Sequence, residues 1–290
     1  MAATNNPTVR RRRLGAELRR LRVARGLKST EVAERLMVSQ PKISHMENGN
    51  RAVSPRDVRD LCAIYEVTDQ HVIDSLLEMA RESGKRGWWH PYGSLSDSVY
   101  IGLETDASSL HAYAPMAVPG LLQTPAYAQA VIGETIPSPT VEQAATQLKV
   151  RLRRQHRIYD PARPLRMGVV LDESALRRVV GGRHVMREQL EHLNALAAEP
   201  HITVQVLPYE AGAHPGLAGQ FSLLRSADGP QAGVVYLERF TSGVYLEKPS
   251  DVRHYSVMYD YLQALALTPD GSRDFIVETA RTYRDAAVVH

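Results

Sequence analysis

The chain has 290 residues, of which 43% are hydrophobic and 23% are charged, and its formal net charge is +3. This composition is typical of a globular protein with one large domain or two smaller ones, and it excludes a collagen-like or disordered chain. No apolar run approaches the roughly 18 residues of a membrane-spanning helix, and no secretory signal follows the arginine-rich N-terminus. We therefore expect a cytoplasmic protein that does not contact the membrane.

The charges are unevenly distributed along the chain. Residues 1–60 contain 14 lysines and arginines against 6 acidic residues, whereas residues 61–290 contain 21 against 26. A basic N-terminal region on a mildly acidic remainder indicates a polyanionic partner for that region, and a solvated arginine tail would give the same imbalance. The predicted secondary structure of the N-terminal region is needed to distinguish a polyanion-binding region from a solvated tail.

The stretch 14–80 predicts five short helices, because its apolar residues recur at helical spacing between turn signals. Ser29 or Thr30 is expected to cap the second helix, and Ser39 the third. The single cysteine, Cys62, is expected in the core, which excludes an internal disulfide and a multi-cysteine zinc site. The buried positions expected in these helices are Leu14, Leu18, Leu21, Val32, Ala33, Leu36, Ile43, Met46, Val58, Leu61, Tyr65, Val72, Ile73, Leu76, Leu77 and Ala80.

Residues 87–290 predict a mixed α/β domain, because helical and strand-like stretches alternate and are separated by glycine and proline. The predicted helices span residues 103–132, 141–158, 174–180, 183–198, 250–266 and 272–286. The predicted strands span residues 165–171, 202–207, 221–224, 234–237 and 244–246. The polar stretch 81–86 is the expected domain boundary.

Residues 26–49 read GLKSTEVAERLMVSQPKISHMENG and place two short helices on either side of a tight turn. Each helix is too short to bury its own apolar face, which is typical of a helix-turn-helix that packs on flanking helices. The motif resembles the lambda-repressor-type, or xenobiotic-response-element (XRE), family of DNA-binding domains at Ala33, Val38, Ser39-Gln40 and Glu47-Asn48-Gly49. The resemblance covers residues 10–80 and implies an all-α, five-helix domain that binds double-stranded DNA.

A recognition helix enters the major groove with its first turn, so outward side chains must reach base edges while the inner face stays apolar. Gln40, Lys42, Ser44 and His45 are expected to point outward. A glutamine can pair with adenine through two hydrogen bonds, a lysine can donate to guanine, and Pro41 offers only apolar contact. The resemblance implies that Gln40, Pro41 and His45 read bases, whereas Lys42 and Ser44 contact either bases or phosphates.

Phosphate contacts are expected from the start of the second helix, from the cap and following loop of the third, and from the N-terminal arginine run. The candidates are Lys28, Ser29, Ser39, Asn50, Arg51 and the run Arg10, Arg11, Arg12 and Arg13. The arginine run could instead enter a minor groove.

Arg22 and Glu47 match a pair that is usually ion-paired inside domains of this family, so the resemblance implies that both are structural. Two other positions depart from the family pattern. Met37 stands where a glycine is usual in the turn, so either its φ is not positive or the domain tolerates some strain. Ser29 replaces a frequent glutamine and shortens that phosphate contact.

The second region also carries a resemblance. Residues 101–132, GWWHPYG at 87–93 and LDESALRRVVGG at 171–182 are similar to the large C-terminal domain of actinomycete helix-turn-helix regulators of the WhiJ type. The resemblance covers nearly all of residues 87–290. It implies a transcription regulator, often encoded beside a small partner protein, whose C-terminal domain has no settled ligand.

Two groups of side chains in the second region allow two interpretations each. Trp88, Trp89 and Tyr92 either wedge the linker against the second domain or line a groove for an effector or a protein partner. A row of arginines at helical spacing forms either a solvated face or a second surface for DNA or a partner. Its members are Arg151, Arg153, Arg154 and Arg157.

We expect no enzyme, metal or cofactor, because the candidate patterns have simpler explanations. Three glycines follow a strand as in a phosphate-binding loop, but another strand follows where such a loop needs a helix. Asp172 and Glu173 precede a helix and are best explained by capping. His184 and His192 are expected to be exposed, and with His201 they lack metal-ligand spacing. The glycines are Gly212, Gly216 and Gly219.

These patterns predict a disordered tail at 1–9, a helix-turn-helix domain at 10–80, a linker at 81–92 and an α/β regulatory and dimerisation domain at 93–290. The predicted function is a sequence-specific DNA-binding transcription regulator that binds its operator as a homodimer. Its second domain is expected to sense a small-molecule effector or a small partner protein. Two alternatives stay open: an antitoxin-like regulator whose DNA binding is autoregulatory, and an enzyme with a DNA-targeting head.

Overall fold

The computed structural model describes residues 9–84, 88–92, 98–135, 138–226, 233–239 and 243–283; the side chains of residues 9, 10, 13, 82 and 84 lie outside this description. The chain divides into two compact units, the first up to Leu103 and the second from Glu104. The division falls inside a helix and lies C-terminal to the predicted linker at 81–92.

The first unit is helical, as the sequence predicts. The described helices are α1 (Val9–Ala24), α2 (Ser29–Arg35), α3 (Gln40–Glu47), α4 (Pro55–Ile64), α5 (Gln70–Gly84) and, across the division, α6 (Ser98–Asp106), with a 3-10 turn at His90–Tyr92. Helix α1 packs on α3 and α5, α2 packs on α3, and α4 packs on α5. Each of the first five helices therefore buries an apolar face against a neighbour, which a helix this short needs in order to be stable.

A close approach of backbones fixes α3 against α1. Leu14 and Leu18 of α1 and Ile43 and Met46 of α3 are almost completely buried in one core. Between the two leucines, a Cβ atom at Gly15 would lie 2.5 Å from the carbonyl oxygens of residues 46 and 47. Only glycine lets α1 approach the C-terminal end of α3 this closely.

Of the two predicted helix caps, that of α3 is found at Ser39 and that of α2 is not found at Ser29 or Thr30. Ser39 and Ser54 are the residues before α3 and α4, and the Ser54 hydroxyl accepts a hydrogen bond from an amide of the first turn of α4. The predicted cap of α2 is wrong, because Lys28 precedes that helix and Ser29 is already helical. The carboxylate of Glu31 accepts a hydrogen bond from the Lys28 amide at 2.6 Å. This bond satisfies the backbone N–H of the residue that precedes α2.

The second unit contains a six-stranded mixed sheet in its described residues, which confirms the α/β prediction. The strands are β1 (Ser109–Ala114), β2 (Arg166–Asp172), β3 (Ile202–Leu207), β4 (Phe221–Arg225), β5 (Gly233–Glu238) and β6 (Gly243–Leu246), in the order β3-β2-β1-β4-β5-β6. Strands β1, β2 and β3 are parallel to one another, and β4, β5 and β6 pair antiparallel. The carboxyl ends of β1, β2 and β3 therefore meet at one edge of the sheet.

Helices cover this sheet. Those described are α7 (Pro125–Gly133), α8 (Val141–Gln155), α9 (Glu173–Arg177), α10 (Arg183–Leu196), α11 (Pro249–Leu265) and α12 (Pro269–Thr282). Helix α12 packs on α10 and β3, and α11 packs on β1, β3, β4 and β5. Strands β2 and β3 are buried on both faces, which explains their nearly continuous apolar sequences.

The helix predicted over residues 103–132 is wrong. The structure divides this stretch into the end of α6, the strand β1, a 3-10 turn at Gly120–Leu122 and the helix α7. The sequence of β1, SLHAYA, lacks the β-branched residues that favour strands. Pairing with β2 on one side and β4 on the other makes it a strand nevertheless.

The arginine row of α8 forms neither a solvated face nor a second DNA surface. Arg154 makes two hydrogen bonds, of 2.7 and 2.8 Å, to the carboxylate of Glu104, which is 2% exposed. Arg157, just after α8, donates to three backbone carbonyls, and Arg151 donates to a buried glutamine side chain. These guanidinium groups attach α8 to the rest of the second unit, and Arg153 alone of the four is exposed.

Candidate nucleic-acid interface

The first unit presents a helix-turn-helix formed by α2, the turn 36–39 and α3. Val32 and Ala33 of α2 and Ile43 and Met46 of α3 are buried in the shared core, so the opposite faces of both helices are available to a partner. The turn contains Met37 with φ of +53°, which is the left-handed region. Of the two alternatives for this position, the domain tolerating strain is the one that the structure shows.

Helix α3 exposes three of the five predicted base-reading side chains. Gln40, Pro41 and His45 are exposed, while Ser44 is half-buried. The Gln40 side-chain amide donates to the Ser29 hydroxyl at 3.3 Å. This bond connects the first residue of α3 to the first residue of α2, and it fixes the glutamine at the position where a recognition helix meets base edges.

Lys42 does not point outward as predicted. The structure half-buries it and places its ammonium 3.3 Å from Asp57 of α4. Burial opposes the charge of Asp57, but hydrogen bonds from Ser54 and the charge of Lys42 outweigh it and hold the pKa of this carboxyl below its usual range. Lys42 therefore stabilises the contact between α3 and α4 from inside the domain.

Asn48, the residue after α3, makes a contact that the sequence did not predict. Its side-chain amide donates to the Ser44 hydroxyl at 3.4 Å. The four-residue spacing on one helical face was the signal that could have revealed this contact. The hydroxyl of Ser44 is held by α3 itself, next to the exposed His45.

The predicted phosphate-contacting residues fall into two groups. Lys28, Ser39, Asn50 and Arg51 are exposed around the two ends of α3 and the start of α2, with Ser29 half-buried among them. The second group is the arginine run, which belongs to the first turns of α1. Arg11 and Arg12 are half-buried and the side chains of Arg10 and Arg13 lie outside the described residues. The guanidinium of Arg11 donates to the carbonyl of Ser83 at 3.3 Å, so it is engaged within the first unit.

The structure brings Arg22 and Glu47 together. Two nitrogens of Arg22 donate to the two carboxylate oxygens of Glu47 at 2.6 and 2.8 Å, and a third donates to the carbonyl of Leu27 at 2.7 Å. Both side chains are nearly buried, and hydrogen bonding to Glu47 raises the pKa of Arg22. The pair attaches the end of α1 to the end of α3 and therefore orients the recognition helix.

The aromatic residues after α5 pack on one another. The rings of Trp88 and Trp89 meet edge to face with centroids 5.9 Å apart, and Trp88 meets Tyr92 in the same way at 6.3 Å. All three are half-buried. The Trp89 ring occupies the space beside Gly102 of α6, where a Cβ atom would be 3.3 Å from it. All of these contacts lie within the first unit.

Two histidines of α10 differ in their exposure. His184 is exposed on α10 and lies 3.2 Å from Glu188. His192 was expected to be exposed but is half-buried, and burial lowers its pKa. Within the described ranges no three histidine, cysteine, aspartate or glutamate side chains are placed to hold a metal ion. Among the helices that the structure describes, none is long and apolar enough to cross a membrane.

Comparisons with known families agree with this division of the chain. A helix-turn-helix domain family matches residues 13–76, which include α2 and α3. A family described as a domain of unknown function, DUF5753, matches residues 98–278, more than half of the chain. Neither a curated protein nor a solved structure matches the sequence. The chain therefore belongs to the DUF5753 family and carries, ahead of that domain, a helix-turn-helix domain of the kind found in DNA-binding regulators.

Proposed function

We propose that this chain is a sequence-specific transcription regulator of the XRE, WhiJ-like type that reads the major groove of operator DNA with the first turn of α3, in the cytoplasm. The observation that carries the proposal is the two-sided character of α3. Its inner face is buried, whereas Gln40, Pro41 and His45 are exposed beside the phosphate-contacting candidates at the start of α2. Lys42 is omitted from the reading set because Asp57 holds its ammonium.

The assignment of roles follows from hydrogen-bonding chemistry. Gln40 can offer its amide to an adenine while Ser29 holds it from behind, and His45, one turn further along α3, reaches the next part of the groove. Lys28, Ser39, Asn50 and Arg51 supply donors to phosphates on either side. The second unit is proposed to form a homodimer and to sense a small ligand or a small partner protein, because a single helix-turn-helix reads only a few base pairs.

The test is DNA binding by the full chain to fragments of the region around its own gene, measured by gel shift at two salt concentrations. The variant Gln40→Ala, His45→Ala removes the proposed reading side chains. The control Gln70→Ala, His71→Ala changes the same residue types at exposed positions in the first turn of α5. Each lost base contact is expected to cost about 1–3 kcal/mol on the operator and little on random DNA.

The outcomes separate base reading from charge attraction. Specific retardation that is lost in the α3 variant and kept in the α5 control supports the proposal. Equal loss on operator and random DNA would show that these side chains only position the backbone. Sequence-independent binding with a steep salt dependence would reduce the domain to a general polyanion-binding surface.

A further inference from the structure

The carboxyl edge of the parallel strands in the second unit carries a polar cluster that the DNA-reading role does not use. Strands β1, β2 and β3 all end there, with Asp172 as the last residue of β2. The segment 208–220 leaves β3 and reaches β4 on the far side of β1, so it passes this edge. In open α/β sheets the crevice outside the carboxyl ends of the strands is where ligands bind.

Two side chains and one backbone amide surround the Asp172 carboxylate at this edge. The hydroxyl of Tyr113, on β1, donates to Asp172 Oδ2 at 3.2 Å, and the Ser174 amide donates to Oδ1 at 2.9 Å. The Nε2 atom of His214, from segment 208–220, lies 3.8 Å from the same Oδ2. Burial, and then the neighbouring Asp172, raise the pKa of Tyr113, so its hydroxyl stays a donor. Asp172 does cap α9 as predicted, but capping uses only one of its oxygens.

His214 has a buried nitrogen that no capping role explains. Its side chain is 5% exposed, and its Nδ1 has no hydrogen-bond partner among the residues that the structure describes. A Cβ atom at Gly216 would lie 2.9 Å from this Nδ1 and 2.6 Å from the Tyr113 ring. Gly216, which the sequence predicted to lie in a loop, therefore leaves room for the His214 imidazole to pack against Tyr113. Unsatisfied polar atoms of this kind are rare in folded proteins and point to an interaction still to be made.

The charges of the cluster indicate what it attracts. The neighbouring carboxylate, Glu173, is buried and already bound by Arg177 and by the amide of Tyr209. No lysine or arginine in the described part of the chain forms an ion pair with Asp172, whose side chain is 15% exposed. His214 balances that charge only while it is protonated. The cluster is therefore anionic whenever the imidazole is neutral, and a cation would complete it.

The loops around the cluster supply apolar contact. Three large apolar side chains on the segments that follow β1 and β3 are more than half exposed: Met116, Tyr209 and Leu217. Small-molecule sites usually combine an apolar lining with a few convergent polar groups. The composition of this edge matches that description.

We propose that the carboxyl edge of β1, β2 and β3 binds a small molecule that has an apolar body and a protonated amine. Asp172 supplies the charge that attracts the ammonium, the His214 imidazole flanks this carboxylate, and Met116, Tyr209 and Leu217 offer exposed apolar surface. The inference rests on the proposal that the second unit senses a ligand. The proposed DNA-reading role of α3 does not depend on this ligand site.

The test uses the full chain without DNA and three probes that share one apolar body: 2-phenylethylamine, 2-phenylethanol and phenylacetate. Isothermal titration calorimetry gives the dissociation constants, and the thermal midpoint gives an independent measure of binding. The amine is expected to bind at least tenfold more tightly than the alcohol, which corresponds to about 1.4 kcal/mol, and the carboxylate is expected not to bind. Binding of none of the three, or equal binding of amine and alcohol, would overturn the proposal.

Matched variants locate the binding. Asp172→Asn keeps a capping oxygen for the Ser174 amide but removes the charge, and His214→Gln removes the imidazole. The controls are Asp160→Asn, whose carboxylate likewise accepts the amide two residues on, and His184→Gln on the exposed face of α10. Loss of amine binding by at least tenfold in the first pair, with the controls unchanged, supports the site. Equal effects in both pairs would overturn it.

Unliganded melting temperatures of all four variants show whether each one folds. Gel shift with the operator is measured separately on each variant. In the unmutated chain, amine binding that fails while operator binding persists rejects the ligand site and leaves the proposed regulator intact. Amine binding that persists in the unmutated chain while operator binding fails supports the ligand site and rejects the proposed regulator.

Discussion

Met37 combines a left-handed backbone with a side chain that is 92% exposed. A residue with a Cβ pays about 1–2 kcal/mol for this conformation, and the buried contacts that normally compensate are absent at such exposure. Replacement by glycine is therefore expected to stabilise the first unit by about 0.5–1 kcal/mol, after the greater freedom of glycine in the unfolded chain is subtracted. Hydrogen exchange of the Val38 amide, which donates to the Ala33 carbonyl across this turn, measures the change.

Met37→Ala is the control for this prediction, because it removes the long side chain and keeps the Cβ atom. Protection that rises in Met37→Gly but not in Met37→Ala identifies the backbone as the source. If the glycine variant loses stability, the methionine side chain contributes more than the strain costs.

His111 gives the second unit a pH-dependent stability. Its Nδ1 faces a guanidinium nitrogen of Arg225 at 3.1 Å, and its ring lies 4.8 Å from that of Tyr259. Burial, and then the charge of Arg225, lower the pKa of His111, although the charge of Asp260 acts in the opposite direction. The unfolded state binds the proton first, so stability falls as the pH drops below about 6.5 and levels off below the folded pKa.

The variant His111→Gln keeps an acceptor for Arg225 and does not titrate. It is expected to reduce the slope of stability against pH below about pH 6.5, measured by denaturant unfolding. Part of the slope remains because burial also lowers the pKa of His192. The exposed His184→Gln should leave the slope as it is; a reduction as large as that of His111→Gln would contradict the assignment.

Among the elements, the contact of α1 with α3 depends on a single missing side chain. Helix propensity alone favours alanine over glycine in α1 by about 1 kcal/mol. A Cβ at residue 15, however, would lie 2.5 Å from two backbone carbonyl oxygens, which cannot rotate away. We expect Gly15→Ala to destabilise the first unit by about 1–3 kcal/mol, since overpacking outweighs propensity, and to weaken operator binding by displacing α3. Hydrogen exchange of the α1 amides measures the destabilisation.

Gly133 at the end of α7 is the matched control, because a Cβ there would meet nothing within 4 Å. Its replacement by alanine is expected to be neutral or stabilising by up to about 1 kcal/mol. Equal destabilisation in the two variants would show that the close contact of α1 with α3 is not the cause.

The elements also show what sequence patterns can and cannot predict. The helices of the first unit are amphipathic and end at recognisable caps, so their periodicity alone places them. The strand β1 has no such pattern: its neighbours in the sheet are β2 and β4, which lie far along the chain, and they decide its conformation. Lys42 and the α8 arginines are similar, because a charged residue in a sequence does not reveal whether its partner is a carboxylate in the same unit or a phosphate outside it.

For the whole molecule, we expect two copies on one operator. Helix-turn-helix dimers contact half-sites about 34 Å apart, one helical turn of DNA. Inserting about 5 bp between the half-sites should abolish tight binding, because it turns them to opposite faces of the duplex, and inserting about 10 bp should restore part of it. Light scattering should give twice the mass of the chain, free and on DNA. A monomer mass in both states, with unchanged affinity after either insertion, would exclude the dimer.

The central position of β1 has a consequence for synthesis. Ser109, at the start of β1, is paired with Arg166 of β2 and with Arg225 of β4, so the middle of the sheet cannot close until more than a hundred further residues have left the ribosome. The helices of the first unit need only their own neighbours, and local contacts of this kind form quickly. A nascent chain is expected to fold its DNA-reading surface while β1 still has one unpaired edge, which is prone to aggregation. A product truncated before Phe221 would keep the helices of the first unit without a complete sheet, and the edge of β1 that pairs with β4 would stay open.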